Sequence, residues 1–272
     1  MNGTGIGEVR TKLLDTDHKQ WNCGMGVFDP GVVYTLEDPN GYVVVDGKLS
    51  KIVTKSDYEK VYKKIGDKYY KTVKIGNLLW MAENLDYKWD GLEIGTDHLI
   101  EISAAAAYRE DDESTWGWNN RKCGLYYNHD SILAMAGNPW VDPQVPSVLP
   151  DGWRLPTRDE YNELLESIKD ENDVYRVDKL FDPDCSWSPF DKPADAKMNE
   201  TGLSLIPAGY YSFDDEAWSD LSTEHIATIG VSDGGSEGDF YRIVAPTSSS
   251  YGEVDAYYSW PDPSTVRLVK DV

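Results

Sequence analysis

Residues 149–168 read LPDGWRLPTRDEYNELLESI and carry the clearest structural signal in the chain. Thr157 and Glu160 have the spacing of a capping box, in which each side chain accepts a hydrogen bond from the other residue's backbone N–H group. The apolar side chains from Tyr161 to Ile168 recur at helical spacing. The stretch therefore predicts a turn at its Asp-Gly step followed by an amphipathic helix.

Elements on either side of this helix can be predicted in the same way. Residues 72–75 alternate polar and apolar side chains, residues 76–77 are a Gly-Asn turn, and residues 78–81 are a short apolar run, which together predict a hairpin. Residues 128–136 predict a second short helix, which Gly137 ends.

Four segments in this order resemble the Fibrobacter succinogenes major paralogous domain. They are YKTVKIGNLLWMAENLDY at 70–87, LPDGWRLPT at 149–157, TGLSLIPAGY at 201–210 and VRLVKD at 266–271. The family is related to the C-type lectin-like fold. The resemblance implies an α+β domain over residues 71–272, in which two short helices stand beside a twisted, mainly antiparallel sheet with long loops.

The chain departs from this family at two positions where the family has cysteine. Leu149 and Leu268 stand there instead, so two apolar residues replace a bridge that would join their segments. The cysteines that are present, Cys23, Cys123 and Cys185, are far apart and form no CxxC pattern. We expect assembly in a reducing cytoplasm, without a disulfide framework or a zinc site.

The N-terminal part differs from the rest in charge. Residues 1–75 hold 12 Lys/Arg and 10 Asp/Glu, a net of +2, while residues 76–272 hold 14 and 38, a net of −24. Such a break predicts two units with different roles, and we place the boundary near residues 68–72. The first forty residues are Gly-rich and irregular, which predicts a small irregular or β domain ordered by a partner surface.

Residues 38–69 contain a more regular pattern. A turn at 38–41 precedes a strand at 42–45 and an Asp-Gly turn at 46–47, and Ser56 and Glu59 then have capping-box spacing. Tyr58, Val61, Tyr62 and Ile65 have helical spacing, so we expect a helix that Gly66 ends. The segment resembles the phage tail-collar family at Gly41, Tyr42, Asp46, Gly47, Thr54, Tyr58, Val61, Tyr62, Ile65, Gly66 and Tyr69, with Val45 in place of that family's cysteine.

Composition excludes several classes of protein. The 272 residues are 40% apolar, enough for a buried core, and the net charge of −22 repels nucleic acid over most of the surface. No run of 18 apolar residues, secretion signal or lipidation signal is present. We expect a soluble protein that is not exported by the general secretory route.

The residues offer little for catalysis. His18, His98, His129 and His225 lie outside any nucleophile or metalloprotease pattern, and no cysteine pair suited to formylglycine-generating chemistry is present. We predict no catalytic residue, no resident metal and no cofactor. Ca²⁺ at the acidic runs 110–113 and 214–216 is the alternative, although the spacing does not match a calcium loop.

The region after residue 209 suggests binding. Its tyrosines and tryptophans alternate with Ser, Gly and Asp, the mixture found in adaptable recognition loops, and flat rings beside carboxylates suit sugar rings. The exposed subset of these residues is the candidate ligand-binding face. The candidates are Tyr210, Tyr211, Trp218, Asp233, Tyr241, Tyr251, Tyr257, Tyr258 and Trp260.

Together these observations favour a non-enzymatic bacteriophage fibre, collar or appendage protein, made in the host cytoplasm and located on the virion. Residues 1–70 would bind other virion proteins or sister chains, and residues 71–272 would bind a host-surface glycan or protein. We expect a homo-oligomer, and other fibres make a trimer the analogous state. The main alternative is a bacterial, cell-associated glycan- or protein-binding module, and an enzyme of the formylglycine-generating type is a third.

Overall fold

The computed structural model describes residues 42–45, 48–51, 61–96, 99, 103–108, 123–137, 147–150, 152–182, 193–213, 215–218, 226–232, 239–244, 250–257 and 262–272. The chain forms two compact units, Met1–Lys71 and Thr72–Val272. The strands are β1 (Tyr42–Val45), β2 (Lys48–Lys51), β3 (Tyr62–Ile65), β4 (Lys68–Ile75), β5 (Leu78–Met81), β6 (Glu93–Ile94), β7 (Ala105–Ala107), β8 (Tyr126–Tyr127), β9 (Tyr211–Ser212), β10 (Ala217–Trp218), β11 (Ile226–Val231), β12 (Asp239–Val244), β13 (Glu253–Tyr257) and β14 (Val269–Asp271). The helices are α1 (His129–Ala136) and α2 (Arg158–Glu166), with a 3-10 helix at Val177–Leu180.

The first unit contains two antiparallel pairs in its described part. The predicted strand at 42–45 is confirmed as β1, and it pairs with β2. The predicted helix is wrong at its C-terminal end, because Tyr62–Ile65 form β3, which pairs with the first half of β4. Gly66, at φ 62°, turns the chain so that the two aromatic and β-branched segments pair, and this pairing overrides the helical spacing. Residues 52–60 lie outside the described part of the chain.

The second unit begins with the predicted hairpin, which is confirmed. The second half of β4 pairs with β5 across the turn at Gly76 and Asn77. On its other side β5 pairs with β14, so that Trp80 is opposite Val269. The two ends of this unit therefore meet in one antiparallel sheet.

Both predicted helices of this unit are confirmed, together with the end of α1 at Gly137 and the capping box of α2. The Asn128 side chain accepts from the Ser131 N–H group at the start of α1, and Gly137 ends that helix in the left-handed conformation at φ 66°. At the start of α2, Thr157 and Glu160 make both hydrogen bonds of the capping box.

The antiparallel sheet of β14, β5 and β4 is called the first sheet here. The main core lies between α2, the first sheet and a three-stranded antiparallel sheet in the order β11, β12, β13. Trp80 and Val269 contribute from the first sheet, Tyr161 and Leu164 from α2, and Ile229 from β11. Each is at most 2% exposed, and burying a side chain of this size stabilises the fold by about 1.5–3 kcal/mol.

A second sheet-like layer holds the aromatic residues of interest. β6 pairs parallel with β7, and β7 pairs antiparallel with β8. Ser264 then forms bridges to Tyr127 of β8 and to Tyr210, which leads into β9 and its partner β10. The second unit is thus mostly β. Its two helices and mainly antiparallel pairing are those that the family resemblance implies.

The side chain of Arg267 joins segments that are far apart in the sequence. It is 1% exposed, and its guanidinium donates to Asn84 Oδ1 at 2.8 Å, to the Ser204 carbonyl at 2.8 Å, to the Met81 carbonyl at 3.4 Å and to the Leu203 carbonyl. The rigid guanidinium fork can meet several acceptors at once, which an ammonium group cannot do with the same geometry.

Arg267→Met should lower the free energy of unfolding by at least about 3 kcal/mol, because each buried acceptor that loses its donor costs roughly 1–3 kcal/mol. Arg154→Met is the matched control: Arg154 is 36% exposed and pairs with Glu160, so its loss should cost about 1 kcal/mol. Chemical denaturation of the full chain measures both. Equal losses would contradict the role of Arg267.

The ion pair of Glu160 makes the stability of the fold depend on pH. The Arg154 guanidinium, at 2.6 Å, and the Thr157 backbone lower the pKa of Glu160 below its ordinary value. A carboxyl whose folded-state pKa is lowered contributes stability above its ordinary pKa and loses it as the pH falls through the lowered value. Glu160→Gln should therefore flatten the fall in stability that begins as the pH drops below about 4.5. Glu163→Gln, on the same helix, is the control for the removal of one exposed carboxylate.

Candidate functional site

Two of the predicted face residues, Tyr211 and Trp218, pack against each other and against the domain interior. Tyr211 is buried, and its ring meets Trp218 edge-on at 5.1 Å between centroids. Trp218 also meets the fully buried Tyr126 edge-on at 4.7 Å. Tyr210 is partly exposed and bridges to Ser264. Tyr211 is therefore not part of the exposed ligand-binding face, and Trp218 acts mainly as a packing residue.

Tyr251 contacts a different set of residues. Its ring lies over the Arg176 guanidinium at 3.7 Å from the centroid, and its hydroxyl donates to the Asp195 carboxylate at 2.9 Å. This hydrogen bond raises the pKa of Tyr251. Arg176 also pairs with the buried Asp178 through two hydrogen bonds of 3.1 Å. Tyr251 is thus held in place by charged neighbours that are themselves fixed.

The remaining predicted residues are less completely described. Tyr241 lies in β12, where its backbone is opposite Ile229 and Ala256, and Tyr257 lies in β13. Asp233, Tyr258 and Trp260 lie outside the described residues.

A second group of aromatic residues was not predicted as a site. We call it the Trp89 surface and define it by Asp86, Tyr87, Lys88, Trp89 and Tyr108. All three rings are partly exposed and Lys88 is exposed. Trp89 stands 6.2 Å from Tyr87, the Lys88 ammonium lies 4.9 Å from the Tyr108 ring centroid, and the Tyr108 hydroxyl donates to Asp86 at 2.6 Å.

The Trp89 surface rests on the buried Tyr127 of β8. Trp89 is stacked on the Tyr127 ring, at 6.1 Å between centroids and 11° between planes. The Tyr127 hydroxyl accepts from the Tyr87 N–H group and donates to the Tyr87 carbonyl, both at 2.8 Å. An irregular segment thereby gains a fixed backbone position, which is what a recognition surface on a loop requires.

The segment before the Trp89 surface is fixed by the chain around Gly124. The Asn84 side chain donates to the Cys123 carbonyl, and Leu125 N–H donates to the Leu85 carbonyl at 2.9 Å. Gly124 has φ 74°, and a Cβ there would lie 2.5 Å from the Leu85 oxygen. Only glycine permits this approach without displacement of the backbone.

The arrangement of the Trp89 surface suits recognition of a polar ligand with apolar faces. The rings offer flat apolar area, while the Asp86 carboxylate and the Lys88 ammonium offer an acceptor and donors beside it. The sequence signal was present in the segment YKWD at 87–90, which begins at the last residue of a family-like motif.

Metal and thiol chemistry find little support in the described ranges. No group of three or more His, Cys, Asp or Glu side chains able to hold a metal ion occurs among them. The acidic run at 110–113 and the residues His18, His98, His225, Cys23 and Cys185 lie outside these ranges. His129 is the first residue of α1, and Cys123 is a buried thiol. No helix within the described ranges is long and apolar enough to cross a bilayer.

These features define a mostly β domain with two capped helices, whose aromatic layer reaches the surface at Trp89. The family model of the Fibrobacter succinogenes major domain matches residues 73–227, more than half of the chain, and the protein belongs to this family. No curated protein and no solved structure matches the chain.

The family match ends before the last of the four resembling segments. Residues 266–271 nonetheless pack with the matched part, because β14 pairs with β5, and Arg154 and Val269 exchange backbone hydrogen bonds of 3.0 and 2.8 Å. Leu149 and Leu268, which stand where the resemblance implies cysteines, are both buried. Their burial fits the expectation of apolar replacements at these positions.

Gly124→Ala should destabilise the protein more than Gly76→Ala. Both glycines have positive φ, near 74° and 60°, so both variants incur about 1 kcal/mol of backbone strain. Only at position 124 does the added methyl group collide with backbone, which should cost roughly 1–3 kcal/mol more. Denaturation midpoints of the two variants measure the difference, and equal midpoints would mean that residues 84–85 move aside freely.

Proposed function

We propose that this protein is a non-enzymatic binding protein whose family domain is C-type lectin-like and recognises carbohydrate at a host cell surface. The observation that carries the proposal is the Trp89 surface, in which a partly exposed indole is backed by Tyr127 and flanked by Asp86 and Lys88. A saccharide has CH faces that pack on flat rings and hydroxyl groups that need donors and acceptors beside them.

The rigidity of the Trp89 surface supports a binding role. Its backbone is fixed by Tyr127, and the Tyr108 hydroxyl already orients the Asp86 carboxylate. These groups therefore lose little conformational freedom when a ligand binds, which improves affinity. The C-type lectin-like part of the proposal draws on the family resemblance and on the mostly β architecture with two helices.

The virion setting is the second part of the proposal. It is supported by the charge break between residues 1–75 and 76–272 and by the collar-like strand at 42–45. The strand at Tyr62–Ile65 replaces the C-terminal end of the helix in that resemblance, so Tyr62 and Ile65 no longer contribute to it as helix residues. In this setting the first unit binds other virion proteins and sister chains.

The Trp89→Ala variant should lose carbohydrate binding by at least about tenfold, since buried aromatic anchors dominate most interfaces. An array of neutral and acidic oligosaccharides identifies the best ligand, and calorimetry with that saccharide measures affinity. Tyr175→Ala is the matched control, because Tyr175 is another partly exposed ring beside a lysine, Lys169, and lies outside the Trp89 surface.

Trp89 also stacks on Tyr127, so its replacement removes a contact within the fold. The thermal midpoint of Trp89→Ala is therefore measured together with its affinity for the saccharide. Lys88→Ala provides a second variant at an exposed position, where the fold is not at risk. Carbohydrate binding that survives both changes would overturn the assignment of the Trp89 surface.

A separate experiment distinguishes the virion setting from the bacterial alternative. Mass spectrometry of purified phage particles should detect peptides of this chain in amounts comparable with other structural proteins. Recovery from a cell-envelope fraction, with none in particles, would support a bacterial cell-associated module instead. The measurement of carbohydrate affinity at the Trp89 surface does not depend on which of the two settings is correct.

A further inference from the structure

One face of the β3–β4 hairpin combines lysine and tyrosine side chains. Tyr62 is directly opposite Lys71, and Lys64 is directly opposite Tyr69. Residues opposite each other in an antiparallel pair, and residues two apart along a strand, share a face. These four residues form what we call the basic hairpin face, and each of them is partly or fully exposed.

The charge of this hairpin is opposite to that of the protein. Residues 62–71 contain four lysines and one aspartate, a net of +3, in a chain with a net charge of −22. Tyrosine beside lysine is typical of a contact surface, because the rings offer apolar area while the ammonium groups offer charge. The partner of such a face should be acidic and should include some apolar area.

The second unit contains a surface of that kind on α2 and the turn that follows it. Residues 159–173 hold seven carboxylates and one lysine, a net of −6. Glu163, Glu166, Glu171 and Asp173 are exposed, and we call them the acidic helix face. Glu166 and Asp173 also pair with Lys169, at 2.8 and 3.0 Å. Glu163 and Glu166 are three residues apart and so are neighbours on the helix surface. Val174, 43% exposed, supplies apolar area directly after Asp173.

We propose that the basic hairpin face of one copy of this chain docks on the acidic helix face of a second copy. Charge complementarity favours this occupant, because residues 62–71 carry a net of +3 and residues 159–173 a net of −6. The proposal rests on the proposed function, in which sister chains associate, and it names the two surfaces through which they do so.

The two faces are different surfaces, so the contact is heterologous. A heterologous contact repeats from copy to copy, and it produces a closed ring where the rotation closes and a filament where it does not. A small ring, such as a trimer, would then need no coiled coil. Because the attraction is between exposed charges, association should be fast and should weaken as salt is added.

Light scattering of the full chain measures its mass at matched concentrations in low and high salt. The parent protein should give a multiple of the 30.7 kDa chain mass at low salt and shift towards the single chain at high salt. The double variant Lys64→Glu, Lys71→Glu should raise the dissociation constant about tenfold or more, since like charges then face each other across the contact.

The control reverses the charge of two lysines on the opposite face of β4. Lys68 and Lys74 are exposed and alternate with Lys71 along β4, so Lys68→Glu with Lys74→Glu should leave the mass unchanged. Glu163→Lys with Glu171→Lys should lose association as the hairpin variant does. The chain carrying both charge-reversed faces should regain it, because complementary charges then meet again.

Three results would overturn the inference: a parent protein that is a single chain at every concentration, a hairpin variant with the parent's mass, or a combined variant that stays dissociated. Circular dichroism on each variant excludes loss of fold. Carbohydrate binding at the Trp89 surface is measured on the same samples, so failure of the assembly contact is distinguishable from failure of the binding function.

Discussion

The hydrogen bonds of Arg267 constrain more of this domain than any other side-chain interaction described above. A guanidinium at 1% exposure has left water, which costs several kcal/mol unless its N–H groups find acceptors. The acceptors come from two distant segments, Met81 with Asn84 and Leu203 with Ser204. The chain must therefore bring residues 81–84, 203–204 and 267 together before this charge can be buried. That requirement connects three of the four segments that resemble the family.

The same constraint positions the aromatic surface. Asn84 accepts from Arg267 through Oδ1 and donates through its amide to the Cys123 carbonyl, so it links the buried charge to the chain leading into β8. Gly124 then allows residues 123–125 to lie against residues 84–85. Two residues further along each segment, Tyr127 and Tyr87 are joined through the Tyr127 hydroxyl. Trp89 occupies its position because this series of contacts fixes the backbone before it.

Local chemistry made much of the fold predictable. The capping box at Thr157 and Glu160, the Gly-Asn turn at 76–77 and the end of α1 at Gly137 depend on residues a few positions apart, and each prediction is confirmed. The segment Tyr62–Ile65 shows where local reasoning fails. Its helical spacing is present, but a turn at Gly66 brings Lys68–Lys71 alongside, and the hydrogen bonds of that pairing decide the conformation.

The binding surface was harder to predict, because aromatic composition alone does not say which rings face solvent. Tyr211 and Trp218 have the neighbours expected of a recognition loop, yet the alternation of β8 directs Tyr126 to their side and Tyr127 towards Trp89. The buried cluster and the exposed surface thus come from adjacent residues of one two-residue strand. Which side becomes the interior depends on the bridges through Ser264 to Tyr210, a pairing between residues more than fifty positions apart. That long-range pairing decides whether a ring is buried or exposed. Composition therefore indicates which region is rich in aromatic residues, and the packing partners of each tyrosine decide whether it belongs to the core or to the ligand surface.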